Sequence, residues 1–245
     1  MTYPQGLTCL LYALLAQVTP TLQAKPVVKG TSVLAVRVGK MTTVAIYGEN
    51  LAPKEVTAKP PLTVKLAGGS PTPGAPKPAI AKQVTVDVSA PGNCPLDTYD
   101  IVLTNPDGGK GTAKLAVVPD VAVEVAAKPG NASVATAMPL SGPATAVNGT
   151  LAPNLPAVFR FEVKPGETWE VGLLAGRAGS ALNPVLRVRD GKQLSLALDT
   201  GDPAKDRKIV FKPLEAGAYF IEVSDRGGRG GAAFMYRLTL RRTAP

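Results

Sequence analysis

The side chains that most often carry out chemistry in proteins are scarce in this chain of 245 residues. It has no histidine and two cysteines. Without histidine, a Ser-His-Asp triad, a Cys-His pair and a His-ligated metal are excluded. Two cysteines cannot build a disulfide scaffold or a cysteine-based zinc site. Neither a GxSxG motif nor a GxxxxGK[ST] phosphate loop occurs. We therefore expect a protein that is not an enzyme and has no cofactor.

One acidic stretch has the composition of a cation site. Asp199, Asp202 and Asp206 lie close together in the sequence DTGDPAKD, and carboxylate oxygens are the ligands that Ca²⁺ prefers. Residues 205–208 add three cationic side chains to the same stretch. Because these cations oppose the binding of another cation, we expect a solvated turn and no metal site.

The remaining chemical signal is an excess of positive charge, with 27 Lys and Arg against 18 Asp and Glu. One interpretation is an ordinary exterior, where arginine stems cover apolar surface. The other is a face that attracts an anionic envelope polymer or an acidic partner, and it requires at least three of these arginines to share one sheet. No nucleic-acid recognition motif is present. The candidate residues alternate with apolar residues in predicted strands: Arg160, Arg187, Arg189, Arg237 and Arg241.

The elements that position these residues have the pattern of β-structure. Short runs rich in Val, Ile, Leu, Thr and Tyr recur between Gly, Pro, Asn and Asp clusters, and no sustained helical periodicity occurs. This spacing predicts an all-β protein of two antiparallel sandwiches in tandem. Strands are expected near 32–38, 42–47, 61–67, 82–89, 98–104, 112–118, 145–150, 157–163, 168–175, 184–189, 193–198, 207–212, 218–225 and 233–241.

The two-residue period of a strand predicts which side chains face the core. The aromatic and aliphatic residues of four predicted strands fall on one parity, and the candidate arginines of three of these strands fall on the other. We expect the inward set to be core residues and not a ligand-stacking surface. That set is Phe159, Phe161, Val163, Trp169, Val171, Leu173, Leu186, Val188, Phe234, Tyr236, Leu238 and Leu240.

The domain boundary is visible in the type of cation. Residues 25–150 contain 11 Lys and 1 Arg, whereas residues 151–245 contain 5 Lys and 10 Arg. We predict a first sandwich over 25–120, a linker over 121–130 and a second sandwich over 131–245. The Pro- and Gly-rich stretch 69–80 is expected to be a long loop of the first sandwich.

Residues 1–24 carry no charge and include a 13-residue apolar run from Gly6 to Val18. This run is too short for a membrane-spanning helix and fits a signal peptide, and a buried N-terminal strand or helix is the alternative. Cleavage after Ala24 leaves Cys94 as the single cysteine. Cys94 lies in a turn without nearby cations to lower its pKa, so we expect it to be an unreactive small residue.

The second half resembles the bacterial pre-peptidase C-terminal domain, a jelly-roll-type β-sandwich of exported proteins, over about residues 128–242. The family's calcium-binding members carry acidic residues where this chain has Pro129, Leu155 and Ala157, and only Asn131 is retained. The resemblance therefore implies the fold without the metal. The matching pieces, in order, are residues 131–140, 147–151, 159–168 (FRFEVKPGET), 184–191 (PVLRVRDG), 216–223 (AGAYFIEV) and 236–240.

The first half resembles a TIG-type immunoglobulin-like domain over about residues 27–118. Residues 43–51 (TVAIYGENL) and 96–109 (LDTYDIVLTNPDGG) are similar to its strand-and-turn and hairpin motifs. Leu96 and Asp97 replace the usual Pro-Gly pair.

Taken together, these patterns predict a secreted or periplasmic, non-catalytic interaction or accessory protein of the bacterial cell envelope. One alternative is a module that binds carbohydrate or an anionic matrix polymer. A second is the accessory part of a secreted peptidase system, and a third is an enzyme with an unrecognised site.

Overall fold

A computed structural model describes residues 24–67 and 81–244. Residues 1–23 of the predicted signal peptide lie outside the described residues, and so does the whole of the predicted loop over 69–80. In the described part of the first sandwich there are eight strands: Val27–Thr31 (β1), Ala35–Arg37 (β2), Lys40–Leu51 (β3), Glu55–Ala58 (β4), Thr63–Leu66 (β5), Ala81–Ala90 (β6), Thr98–Thr104 (β7) and Lys110–Val118 (β8).

The second sandwich contains ten strands and two short 3₁₀ turns, Val134–Thr136 and Gly176–Ala178. Among the described residues, no helix is long and apolar enough to cross a membrane. The strands are Val123–Ala126 (β9), Met138–Pro139 (β10), Ala144–Thr150 (β11), Ala157–Val163 (β12), Thr168–Leu174 (β13), Pro184–Arg189 (β14), Ser195–Asp199 (β15), Arg207–Phe211 (β16), Gly217–Asp225 (β17) and Met235–Ala244 (β18).

These strands form four sheets, which we number in chain order. Sheet I has the order β1-β3-β6-β5 and sheet II the order β2-β8-β7-β4. Sheet III has the order β10-β12-β17-β14-β15 and sheet IV the order β16-β13-β18-β11-β9. The prediction of an all-β fold with sandwich architecture is confirmed. Most neighbouring strands are antiparallel, and three short pairs, β2–β8, β9–β11 and β10–β12, are parallel.

Of the predicted strand over 32–38, only Ala35–Arg37 (β2) form a strand in the structure, and β1, over Val27–Thr31, was not predicted. β1 belongs to sheet I and β2 to sheet II, so the chain changes sheets over residues 32–34. At this crossing the Ser32 N–H donates to the Ala45 carbonyl at 2.7 Å. β4 was not predicted, because its sequence EVTA has only one strongly apolar residue.

The segment 121–130, expected as a linker, also differs from the prediction. Its residues 123–126 form β9, which pairs with β11 at the edge of sheet IV. The alternation of Val123, Glu124 and Val125 explains this strand, because Val125 packs against the core of the second sandwich. Glu124 consequently lies on the opposite, outer face of the sheet.

The core of the second sandwich follows the predicted parity. Phe159, Leu186 and Leu238 have no exposed surface, and Phe161 and Tyr236 are 2% exposed. Phe161 lies at the centre of the aromatic cluster, with its ring 5.3 Å from Trp169 and 6.1 Å from Phe211 in edge-on contacts. The inward positions of these strands are therefore confirmed as core positions.

The two sandwiches contact each other directly. Leu34, which precedes β2, and Ala116 of β8 pack against Leu174 and Ala178 of the second sandwich. All four are buried. The outer face of sheet IV is thereby partly covered by the first sandwich, whereas the outer face of sheet III lies on the far side of the second core.

Candidate functional site: two arginine-bearing sheet faces

The five candidate arginines divide between the two sheets of the second sandwich. Arg160 lies on β12, and Arg187 and Arg189 lie on β14, so three arginines share the outer face of sheet III. Arg237 and Arg241 lie on β18 in sheet IV. The structure therefore separates residues that the sequence pattern groups together.

An aromatic residue lies between the arginines of sheet III. Phe220, on the central strand β17, is paired with Arg160 on one side and with Arg189 on the other. It points away from the core, since its neighbours Tyr219 and Ile221 point inward, yet it is only 7% exposed. Its low exposure between two arginines indicates that their aliphatic stems cover the ring. Phe220 was not predicted as a site residue, although its parity in AYFIEV indicates that it faces outward.

Glutamates hold the arginines of sheet III in place. Glu222 on β17 accepts a 2.7 Å hydrogen bond from Arg189 and lies 3.7 Å from Arg187. Glu162 pairs with Arg160 at 2.6 Å. The three guanidinium groups thus exceed the two carboxylates by one positive charge. The Nε atoms of Arg187 and Arg189 have no hydrogen-bond partner among the described residues.

Two leucines continue this face onto the edge strand β15. Leu198 is opposite Arg187 in the strand register and is 53% exposed, and Leu196 is 48% exposed. The outer face of sheet III, which we call the arginine face, therefore combines Arg160, Arg187, Arg189, Phe220 and Glu222 with an apolar margin. The two leucines alternate with polar or small residues, and that alternation is the signal by which they could have been found.

Arg237 does not belong to an exposed face, and its assignment to one is wrong. Only 2% of this residue is exposed, because the first sandwich covers this part of sheet IV. Its Nη1 atom donates to Glu124 of β9 and to Asn148 Oδ1 at 3.3 Å. Glu124 also pairs with Arg37 of the first sandwich at 3.1 Å. The pattern correctly predicted that Arg237 points away from the core. However, the first sandwich packs against that outer face of sheet IV.

A cleft of about 400 Å³ runs between the first sandwich and the outer face of sheet IV. We call it the inter-sandwich cleft. Leu96, Val118 and Pro119 form its first-sandwich side, and Gly172 and Thr239 lie on its sheet IV side. Gly172 faces Thr239 across the β13–β18 pair, and the Thr239 side chain occupies the space that a side chain at residue 172 would need.

Charged residues flank the inter-sandwich cleft. Arg177 donates to Thr98 Oγ1 at 2.7 Å and pairs with Asp206, which links the two sandwiches. Glu170 pairs with Lys208 at 2.5 Å and with Arg241 at 3.1 Å. The hydrogen bond from Lys208 opposes the effect of burial and, together with the charge of Arg241, lowers the pKa of Glu170.

The three aspartates considered as calcium ligands have structural roles. Asp199 accepts hydrogen bonds from the N–H groups of Gly201 and Lys208, and Asp202 accepts one from Ala204. Within residues 24–67 and 81–244, no group of three or more acidic, Cys or His side chains is placed to hold a metal.

Asn131 and Cys94 are also buried structural residues. The Asn131 Nδ2 donates to the Val158 carbonyl at 3.1 Å, which attaches the entry segment of the second sandwich to β12. Cys94 is 4% exposed, and its Sγ lies 3.4 Å from the Tyr99 hydroxyl. The hydrogen bond to Cys94 and burial together raise the pKa of Tyr99 to about 12.

Comparisons with known proteins show similarity in structure only. No protein-family model matches the sequence, and no curated protein matches it. PliG of Aeromonas hydrophila, a periplasmic lysozyme inhibitor of g-type lysozyme, is 16% identical, with 50% of this chain and 100% of that chain covered and a TM-score of 0.35.

Two further solved structures are similar at the same level. The pre-peptidase C-terminal domain of collagenase from Bacillus anthracis is 16% identical, covering 43% of this chain and 94% of that one, with a TM-score of 0.33. SGBP-B of a mixed-linkage glucan utilization locus of Bacteroides ovatus is 12% identical, covering 85% and 71%, with a TM-score of 0.26. These low scores carry no conclusion about function. The resemblances to the pre-peptidase C-terminal and TIG domains stay predictions.

Proposed function

We propose that this chain is an exported, non-catalytic interaction protein of the bacterial cell envelope, which binds an anionic polymer or an acidic protein through the arginine face. The observation that carries this proposal is the shared placement of Arg160, Arg187 and Arg189 on the outer face of one sheet. Guanidinium groups suit carboxylate and sulfate-like anions because they offer several N–H donors in one plane.

The arrangement of the arginine face favours binding over a purely structural role. Glu222 holds two guanidinium groups at once, so the pair keeps a net positive charge. Both side chains remain about 30% exposed, at 31% for Arg187 and 28% for Arg189. Their Nε atoms are buried without a hydrogen-bond partner among the described residues, so an added anion would contact the exposed part of each side chain.

The proposed location rests on the N-terminal sequence. Residues 1–24 are uncharged and contain an apolar run of the length found in signal peptides. We expect mass spectrometry of the secreted or periplasmic protein to find a mature N-terminus at or near Lys25. Retention of residues 1–24 in that fraction would contradict export by cleavage.

Salt-dependent retention on immobilised heparin tests the arginine face. Retention by attraction between charges weakens with salt, because exposed charges are screened within about 8 Å at physiological ionic strength. The double variant Arg187→Gln/Arg189→Gln loses two positive charges from the arginine face, so we expect it to elute at lower salt than the unaltered protein. The single variant Glu222→Gln should elute at higher salt, because it releases both arginines from their carboxylate.

A matched control separates a specific face from general charge. Lys54 and Lys110 are exposed on the first sandwich, and Lys54→Gln/Lys110→Gln removes the same two charges from the net +9. We expect this control to elute close to the unaltered protein. Equal shifts for the two double variants would mean that net charge alone governs retention, and the arginine face would then have no special role.

A further inference from the structure

Four leucines on one side of the second sandwich are exposed and lie close together. Single exposed apolar residues are ordinary on a protein surface, but a contiguous group of them marks an interaction site. Leu198 follows Leu196 on the edge strand β15, and Leu194, Leu196 and Leu214 line one groove. We call these four residues the leucine patch. Their exposed fractions are 62% for Leu194, 48% for Leu196, 53% for Leu198 and 91% for Leu214.

The groove beside the leucine patch has a volume of about 420 Å³ and is partly aromatic. Phe211 and Tyr219 line it, and their rings stack with centroids 6.0 Å apart. The Tyr219 hydroxyl donates to the Glu215 carbonyl at 3.2 Å, so this polar group already has a partner. The groove therefore offers mainly apolar contact to another molecule.

Strand β15 leaves one edge of sheet III open. It is the last strand in the order of the sheet, and among the described strands it pairs with β14 alone. Soluble proteins often protect such an edge with lysine or proline, but the sequence SLALD of β15 contains neither. A register shift between Val188 and Arg189 interrupts the ladder with β14. We therefore expect contact through the leucine side chains and not through a continuous added strand.

The charge around the groove restricts the kind of partner. Two cationic and two acidic side chains line it, and Lys192 pairs with Glu215 at 3.7 Å. The whole chain, in contrast, has a net charge of +9. A charge-balanced apolar surface does not attract an anionic polymer. It is a surface through which two copies of a positively charged chain can approach each other with little repulsion.

We propose that two copies of this chain associate through the leucine patch around a two-fold axis. Such an axis places the same patch opposite itself, so the apolar side chains of one copy cover those of the other. Each copy also supplies both cations and acids to the rim of the contact. The association does not depend on the arginine face, because Glu222 of β17 holds Arg187 and Arg189 on the side of β14 away from β15.

Sedimentation equilibrium of the protein from the secreted or periplasmic fraction tests the association. We expect the mean mass to rise from one chain toward two between about 1 μM and about 1 mM protein. Repulsion between the copies is screened by salt, with a Debye length of about 10 Å at 0.1 M and about 3 Å at 1 M, whereas apolar contact is not. The dimer should therefore be tighter at high salt. Retention on heparin should weaken over the same range, so the two proposals can fail independently.

Methyl resonances provide a measurement that requires no substitution. As the protein concentration rises, the methyl resonances of Leu194, Leu196 and Leu214 should shift, because the second copy covers these groups. The methyl resonances of Leu186 and Leu238 should stay in place, since neither residue has any exposed surface.

The double variant Leu196→Asp/Leu214→Asp places two carboxylates in the contact. We expect the dissociation constant of the dimer to rise at least about tenfold, because a charge would have to be buried against apolar side chains. The matched control is Met41→Asp/Leu155→Asp, which makes the same change at residues that are 73% and 50% exposed and lie outside the leucine patch. It should leave the dissociation constant unchanged. Both variants should keep the melting temperature, since all four positions are exposed.

Four outcomes would overturn the proposal. The mass of a single chain at every concentration would leave the leucine patch to another partner or to solvent. A dimer that dissociates at high salt would be held together by charge. Equal weakening in the two double variants would make net charge the cause. An unchanged dimer in Leu196→Asp/Leu214→Asp would place the contact elsewhere on the molecule.

Discussion

The outer faces of sheets III and IV share the same sequence pattern, but their environments in the folded protein differ. On each, arginines alternate with core residues along a strand. On sheet III the arginines stay partly exposed, Arg187 and Arg189 share Glu222, and the buried Phe220 lies between two of the arginine-bearing positions. On sheet IV the first sandwich covers Arg237, which pairs with Glu124 and also donates to Asn148. The difference shows that an outward direction does not by itself make a residue part of the surface.

Burial changes what each ion pair contributes. Removing one partner of an exposed pair leaves the other free to turn toward water, so the loss is small. Removing one partner of a buried pair leaves a charge without compensation, and the loss is several times larger. The two sheets therefore allow a direct comparison within one protein.

The largest expected effect comes from a charge placed between the sandwiches. Ala116 has no exposed surface and packs against Leu174. We expect Ala116→Asp to cost several kcal/mol at the interface, because an unpaired carboxylate cannot be buried there. Small-angle X-ray scattering should then show an increased radius of gyration, since the sandwiches separate.

The control for this change is on sheet III. Ala218→Asp places the same charge on the outer face of β17, where the residue is half-buried and opposite Glu162. We expect no change in the radius of gyration. An unchanged radius for a folded Ala116→Asp protein would show that the interface tolerates a charge, which contradicts its apolar character.

The next largest effect compares the two glutamates that pair with arginines. Glu124→Ala leaves Arg237 buried without a carboxylate, and we expect a loss of roughly 3–5 kcal/mol. Glu222→Ala leaves Arg187 and Arg189 able to reach solvent, and we expect about 1 kcal/mol or less. Urea unfolding followed by circular dichroism measures both. Equal losses would mean that covering sheet IV has no energetic consequence.

The smallest expected effect is on the pH dependence of stability, and it concerns Asp225, a second carboxylate on β17, the strand that carries Glu222. Burial raises the pKa of Asp225, but hydrogen bonds from Arg229 and from the N–H groups of Asn183 and Gly227 outweigh it and lower the pKa to about 2. The unfolded chain takes up this proton first, at about pH 4. Stability should therefore be full above pH 4 and decline as the pH falls toward 2.

Acid titration of the free energy of unfolding measures this decline. Asp225→Asn should remove its contribution to the pH dependence and cost about 1–3 kcal/mol at neutral pH, because buried donors lose their acceptor. Glu222→Gln serves as the control and should leave the decline between pH 4 and 2 in place. An unchanged pH profile in Asp225→Asn would show that other carboxylates account for it.

Much of the second sandwich could be predicted from the sequence. Strands β12 and β14 have the predicted bounds, and the inward positions at Phe159, Phe161 and Leu186 are core positions. These are places where a strict two-residue alternation coincides with a strand flanked by turn residues. β1, β4 and β9 were missed because their alternation is short or interrupted by glycine and polar residues.

The candidate sites could be predicted from the sequence only in part. The alternation of residues correctly predicted that Arg160, Arg187 and Arg189 point away from the core. That they share one sheet is known only from the pairing of β12 and β14 with β17. Phe220 faces outward by the same rule, but its covering by arginine stems is a cross-strand property. The exposed leucines of β15 alternate with polar or small residues, whereas the burial of Arg237 has no sequence signature.

The direction of each strand residue follows from the sequence, because the period of a β-strand is two and the core accepts only the apolar parity. The environment beyond the sheet follows from tertiary contacts. Arg189 and Arg237 obey the same alternation, yet one lies on an open face and the other beneath the first sandwich. Leu34 and Ala116 meet Leu174 and Ala178 across distances in sequence at which no periodic pattern acts. Packing between the sandwiches therefore decided which arginines remain surface residues and which one lines a cleft.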